Sequence, residues 1–417
     1  MLRPNRIGQY ALVGIVAALT GCNTGSTSPS KKIVDSHPTI PSSSPAIVVP
    51  PNAGKVTETE ARIFGIQLID SLKRKDQKKF DDLMRMDEMF IRAAEDAGLS
   101  QREIDEYKKI ILPGLMSMYP TLSVYGAGGA AKLIGVRPEK DRAEIVLRFA
   151  SEEDINYFTV TLTRYADGAV GMAEWLPAST AENLSLTYRR IFLPMIMSKN
   201  DGNAAIKPID RLRQEHSDTF KEVLRSTKER DGDRAIKLLR TLPIELQNDR
   251  TVALMGLMAA AKASAMNYQE EIERFSERYP NDPCLDLNTL QYWAVKRDWK
   301  KGLESIERLD EFVGGDVYLN AFRVPLLIMA GKTAEAKLAA EKLLTDEPDL
   351  AVSFTTMANY LISIKDFAGA VEQYKHGVTK IGIVINIDTV LSNPDFVEFV
   401  KSIEFADLKK WYESRPK

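Results

Sequence analysis

The sequence predicts an α+β domain, helices followed by an antiparallel sheet, and after it an all-α region of helical repeats. Three observations carry this. Between residues 56 and 198 the spacing of apolar residues changes from the helical period to strict alternation. From about residue 210 the pattern is helical throughout and recurs every 34 residues. The first 55 residues show neither pattern.

Residues 1–21 read as an export signal. Arg3 and Arg6 give a positive start, and Tyr10 to Leu19 is an apolar stretch too short for an ordinary transmembrane helix. Residues 22–55 are a tether rich in Ser, Thr, Pro and Gly, exemplified by Ser42-Ser43-Ser44-Pro45 and Val49-Pro50-Pro51. Such a segment buries too little apolar surface to offset its ordering entropy, and its prolines keep it extended.

Residues 56–198 form the α+β part. Thr57 and Glu60 have capping-box spacing, and Ala61, Phe64, Leu68 and Leu72 follow on one helical face. Asp76 caps a second helix with Phe80, Leu83 and Met84 inside. Ser100 and Glu103 open a third, through Leu115, kinked at Pro113. Thr121–Gly126, Ala131–Arg137, Ala143–Phe149, Tyr157–Tyr165 and Val170–Leu176 then read as extended. Pro138–Asp141 and Asp167-Gly168 are turns, and Thr159, Thr161 and Thr163 share one strand face. A helix from Thr180 to Met197, with Leu184, Tyr188, Ile191 and Phe192 inside, closes the unit.

Residues 210–384 carry the repeats. In the clearest unit, 351–384, Phe354, Met357, Ala358 and Leu361 lie on a first helix and Phe367, Ala370, Tyr374 and Gly377 on a second. One period back stand Leu327, Gly331, Ala336 and Pro348; two back, Trp293, Trp299, Gly302 and Ile306; three back, Gly256, Ala259 and Pro280. A fifth unit around Val223, Ala235 and Leu239 is shifted by about one residue. Such a helix pair cannot bury its apolar face alone, and small residues let neighbours stack closely. Tyr268 departs by standing where a small residue is expected, and Gly382 by replacing a closing proline. Residues 385–417, with Phe396, Phe399, Ile403, Phe405 and Trp411, read as short helices capping the last repeat.

Composition excludes several classes. Apolar residues are 44% and charged residues 27%, as in ordinary soluble domains. Lys plus Arg is 56 against 58 Asp plus Glu, a net charge of −2, which argues against a sequence-blind nucleic-acid binder. Two cysteines cannot staple the fold, and three histidines, His37, His216 and His376, have no metal-ligand spacing. Gly126 to Lys132 superficially resembles a phosphate loop, but Leu133 stands where Ser or Thr is needed and the segment leads into a strand. The basic cluster Lys73-Arg74-Lys75 with Lys78-Lys79 and the acidic run Glu152-Glu153-Asp154 read as solvated surface.

Three resemblances sharpen these expectations. Leu19-Thr20-Gly21-Cys22 resembles the lipobox of bacterial lipoproteins, which implies a lipidated Cys22 as first mature residue, and Asn23 favours the outer over the inner membrane. The helices and meander of 56–198 resemble the NTF2-like (cystatin-like) superfamily in architecture alone. The 34-residue pattern resembles tetratricopeptide (TPR) repeats, which implies a solenoid whose first helices line a groove. Carried over by register, the groove positions are Arg250, Leu257, Gln291, Tyr318, Met329, Thr355 and Asn359. Together these imply a membrane-anchored envelope scaffold for protein partners, with no cofactor, no nucleic acid and no catalysis. The alternative is a small-ligand-binding protein that uses a cavity of the α+β domain, with the repeats used for assembly. An enzyme there needs a buried carboxylate, for which Asp154 and Glu174 are the candidates; the domain has no histidine.

Overall fold

A computed structural model describes residues 54–85, 130–150, 155–186 and 208–415, with isolated positions between 89 and 123. The export signal, Cys22, the tether, His37 and the acidic run 152–154 lie outside the described residues, as do most of the helix expected at 100–115, most of the Gly126–Lys132 loop and the helix expected beyond 186. An antiparallel four-stranded sheet is followed by a helical C-terminal region. The chain divides into two compact units, with the break between Cys284 and Leu285. Among the described residues no helix is long and apolar enough to cross a membrane.

The first unit opens with α1 (Glu58–Lys73), started by the expected capping box of Thr57 and Glu60. Helix α2 (Gln77–Met84) follows, and Asp76 accepts a hydrogen bond from the Lys79 amide. Leu122 and Ser123 are helical, which corrects the extended reading of 121–126 at those positions. Tyr119 and Leu122 both pack on the core three residues apart, a helical spacing that short apolar runs share with strands.

Strands β1 (Lys132–Pro138), β2 (Ala143–Ala150), β3 (Ile155–Arg164) and β4 (Val170–Pro177) pair in sequence order, all antiparallel. Within a residue or two these are the expected strands, and the expected turns join them. One sheet face packs Ile145, Leu147, Phe149, Phe158, Val160 and Leu162 against Phe64, Leu68 and Leu72 of α1 and Phe80 of α2. A bulge in β4 skips Ala173, so Met172 and Trp175 both reach this core. Phe149, Phe158 and Trp175 carry ring contacts across three strands at 5.3 and 4.8 Å. After β4 the chain turns through 178–182, with Ala181 at positive φ, before a helix starts at Leu184.

The rest of the first unit comprises α3 (Pro208–Glu215), α4 (Ser217–Lys228), α5 (Gly232–Leu239), α6 (Ile244–Gln247), α7 (Arg250–Ala260) and α8 (Ala265–Arg278). Helix α9 (Cys284–Asn288) holds the break. The second unit continues with α10 (Leu290–Lys296), α11 (Trp299–Val313), α12 (Asn320–Met329), α13 (Thr333–Asp346), α14 (Ala351–Ser363) and α15 (Phe367–Ile381). Helices α8, α11, α13 and α15 start at Ala265, Trp299, Thr333 and Phe367, 34 residues apart each time. Consecutive helices pack as pairs: α4 with α5, α7 with α8, α10 with α11, α12 with α13, α14 with α15. Glycine sets the closest approaches. A Cβ on Gly302 would lie 2.7 Å from Leu326, and one on Gly232 would lie 2.2 Å from the Ala259 carbonyl.

Short helices α16 (Ile387–Ser392), α17 (Val397–Val400) and α18 (Ile403–Glu413) end the chain. Phe399, Phe405 and Leu408 bury against Phe354 and Tyr374 of the last helix pair. Ile403, expected inside, is exposed: it is the first residue after the Ser402 cap and faces solvent.

Candidate functional site

The groove positions fall into two groups. In the first unit, Leu257 is core, 6% exposed. Arg250 opens α7 and is bound inward. Its guanidinium meets the Asp282 carboxylate at 2.5 and 2.8 Å, donates to the Thr180 carbonyl at 2.6 Å, and lies 3.5 Å from Glu182. Burial opposes its charge, but the hydrogen bonds and charge of Asp282 outweigh that and raise its pKa. The side chain therefore ties α7 to the turn after β4 and to the loop after α8.

In the second unit, Tyr318 is also 6% exposed and lies on a short 3-10 turn capped by Asp316. Gln291 is on α10, and nothing is described of its side chain. Met329 on α12 and Thr355 and Asn359 on α14 are half-buried. The Thr355 hydroxyl lies 3.2 Å from the Ala351 and Val352 carbonyls of its own helix. Met329, Thr355 and Asn359 are thus the positions left with side-chain surface to offer a partner.

Four of the five repeat pairs, and α1 with α2, share a link that the spacing did not single out; between α7 and α8 no residue takes positive φ, and Ser264 caps α8 at φ −59. Lys75, Arg230, Arg297, Gly331 and Lys365 each adopt positive φ between two helices. The next residue's amide bonds five residues back, as in Asp298 to Trp293, Lys332 to Leu327 and Asp366 to Leu361. That next residue caps the following helix; in four links it is an aspartate after a basic residue. The basic-Asp dipeptide is a readable signal for these hairpins. Of the basic cluster near α2, Lys73 to Lys79 are exposed, as expected, and Arg74 pairs with Asp70. His216 precedes α4 without a side-chain cap bond, and His376 packs edge-on against Phe354.

The second face of the sheet is polar and buried. Arg148, Tyr157, Thr159, Thr161, Thr163 and Glu174 lie there, Arg148 1% and Thr163 2% exposed. Thr161 stands between Glu144 on β2 and Glu174 on β4 in the pairing register, and Thr159 between Val146 and Leu176. Glu174 accepts from the Ser185 amide and hydroxyl, which fastens the helix starting at Leu184 to this face. Burial, helped by the Glu139 charge, raises the Glu144 carboxyl above its ordinary value despite Arg137 3.9 Å away. Among the described residues no group of His, Cys, Asp and Glu is arranged to hold a metal ion.

No known protein-family model, curated protein or solved structure matches this chain.

Proposed function

We propose that the chain is a lipid-anchored protein of the bacterial envelope that recruits protein partners through TPR-like helical repeats, without catalysis. The recurrence of helix starts every 34 residues, each helix packed on the one before it, carries this reading. Stacked identical pairs generate a ladder of first helices, and such ladders present extended recognition surfaces. In the second unit that surface centres on Met329, Thr355 and Asn359. The anchor rests on the lipobox-like Leu19-Thr20-Gly21-Cys22, and two or more acyl chains hold a protein stably at a membrane. Outer-membrane placement rests on Asn23. The α+β part, NTF2-like in this reading, is joined firmly to the first repeat helices by Arg250.

The test is crosslinking in intact cells with wild type, Cys22→Ala and Asn359→Arg, followed by identification of copurifying proteins. Reproducible envelope partners that weaken with Asn359→Arg support the reading. Partners insensitive to Asn359→Arg, or none above background, defeat it. Release from the membrane fraction in Cys22→Ala checks the anchor separately.

A further inference from the structure

In the first unit, α5 to α8 enclose a cleft of about 380 Å³ that opens to solvent. Leu239, Val252 and Phe275 form its apolar floor. Arg240, Arg274 and Arg278 stand around it with one carboxylate, Glu271. Arg240 follows α5, and Glu271, Arg274 and Arg278 lie on α8 at a spacing that puts them on one helix face.

The one carboxylate is committed across the helices to Arg240. The Glu271 side chain is 8% exposed, and its Oε1 accepts from Arg240 at 2.8 and 3.2 Å. A Cβ on Gly256 of α7 would lie 2.9 Å from Glu271 Oε2, so glycine there leaves room for the carboxylate to turn inward. Glu270 accepts from the same guanidinium at 2.8 Å. Arg274 is left 3.9 Å from Glu271, beyond hydrogen-bonding distance, with no other partner among the described residues. Arg278 donates to the Gln247 carbonyl, which carries no charge. Two guanidiniums one turn apart thus line the cleft without a counterion of their own, and like charges at this spacing repel. Guanidinium forks bind carboxylates through paired N–H bonds and keep their charge at any physiological pH. An inorganic anion would meet the arginines and leave the apolar floor to water. An organic acid meets both, because such sites combine an apolar lining with a few placed polar groups.

We infer that the cleft between α5 and α8 is a binding site for a small organic acid, a carboxylate on a short apolar body. The carboxylate bridges Arg274 and Arg278, and the body covers Leu239, Val252 and Phe275. The site belongs to the first unit and rests neither on the envelope reading nor on the repeat surface of the second unit.

The test is isothermal titration calorimetry of the whole chain at low salt, with butyrate, benzoate, inorganic phosphate and 1-butanol as probes. The expected result is saturable binding of butyrate or benzoate, tighter than that of phosphate or 1-butanol. Arg274→Gln and Arg278→Gln are each expected to weaken it about tenfold or more, the worth of a hydrogen bond to a charged group. Arg274→Gln removes no hydrogen bond within the fold, so without ligand it melts near the wild-type temperature and its loss of binding is read on a folded protein. Arg62→Gln removes an exposed positive charge paired with Glu58 on α1 and leaves the affinity unchanged. Three results overturn the inference. One is no saturable binding of either acid. Another is phosphate or 1-butanol binding as tightly as the acids, which means that the carboxylate and the apolar body are not recognised together. The third is acid binding that survives Arg274→Gln.

Discussion

Replacing Arg250 by methionine keeps much of the side-chain volume and removes the charge. Asp282 is then left with a side chain 1% exposed and no cation. The donor that remains to it is the Cys284 amide at 3.0 Å. The Thr180 carbonyl loses its guanidinium donor as well. Breaking a buried ion pair from one side costs about 3–5 kcal/mol, because a desolvated charge stays behind. Arg250 itself keeps 20% side-chain exposure, so water reaches the vacated edge, and the lower end, about 3 kcal/mol, is the expected loss. With an m value of about 2–3 kcal/mol/M in urea, the midpoint for the first unit falls by about 1–1.5 M. The assay is urea unfolding followed by circular dichroism, read as the earlier transition if the two units unfold separately. Asp282→Asn is expected to lose less, since the guanidinium it strands can turn to water. Arg250→Met with Asp282→Leu is expected to regain most of the loss, because an apolar pair needs no countercharge. A midpoint shift under about 0.3 M for Arg250→Met would show that Asp282 is solvated and that the ion pair does not hold the turn.

Four further outcomes follow from the same geometry. Gly331 sits at φ 71 with open space around it, so Gly331→Ala carries backbone strain alone and loses about 1 kcal/mol in urea unfolding. Lys365→Gly, at φ 63, relieves similar strain but forfeits an exposed ion pair with Glu398, and a gain of about 0.5 kcal/mol is expected. Glu144 is raised by burial, so it favours folding when protonated; stability from this group is greatest below the unfolded pKa and declines as pH rises through the folded one. Glu144→Gln is therefore expected to raise the melting temperature at pH 7 and to flatten its dependence on mild acidification, and an unchanged pH profile would refute this. Glu60 runs the other way: the Arg164 hydrogen bond, with those of Thr57, lowers its carboxyl to about 2, so its stabilisation is present above the unfolded pKa and is lost as pH falls towards 2. In acid titrations Glu60→Gln should lose the component in that window.

The strands were legible because alternation is a local signal, and β2, β3 and β4 fall within two residues of the alternating segments. Capping residues were equally plain at Thr57 and Asp76. Leu122 was not, since an apolar pair three apart fits a helix or a strand until its neighbours are known. The groove residues show a different limit. Register placed Arg250, Leu257 and Tyr318 on first helices or their approaches, but register says nothing of what lies above them. The turn after β4 takes up Arg250, and Leu257 and Tyr318 are core. Likewise the threonine row read as one face of a strand, but no local pattern says that this face is buried.

The helix starts keep a 34-residue period although residues at equivalent core positions differ in size, and most of the links share one geometry. A helix interface accepts changes of side chain if volume is roughly conserved, so Tyr268 can stand half-buried where a smaller residue is expected. The positive-φ links are more constrained, and the link before α8, capped by Ser264 at φ −59, keeps the register by another route. In the positive-φ links one residue takes positive φ, the next amide reaches back five residues, and that next residue caps the following helix. Inserting or deleting one residue there rotates the second helix by about 100° and turns its apolar stripe off the partner. Glycine fills the strained position once; arginine or lysine fills it elsewhere, each followed by a capping aspartate. The capping bond offsets strain of about 1 kcal/mol, which leaves the choice at the strained position open to residues that extend outward, as Arg297 and Lys365 do towards Asp395 and Glu398. Links of two kinds thus keep one spacing of helix starts, while the side chains between them differ from pair to pair.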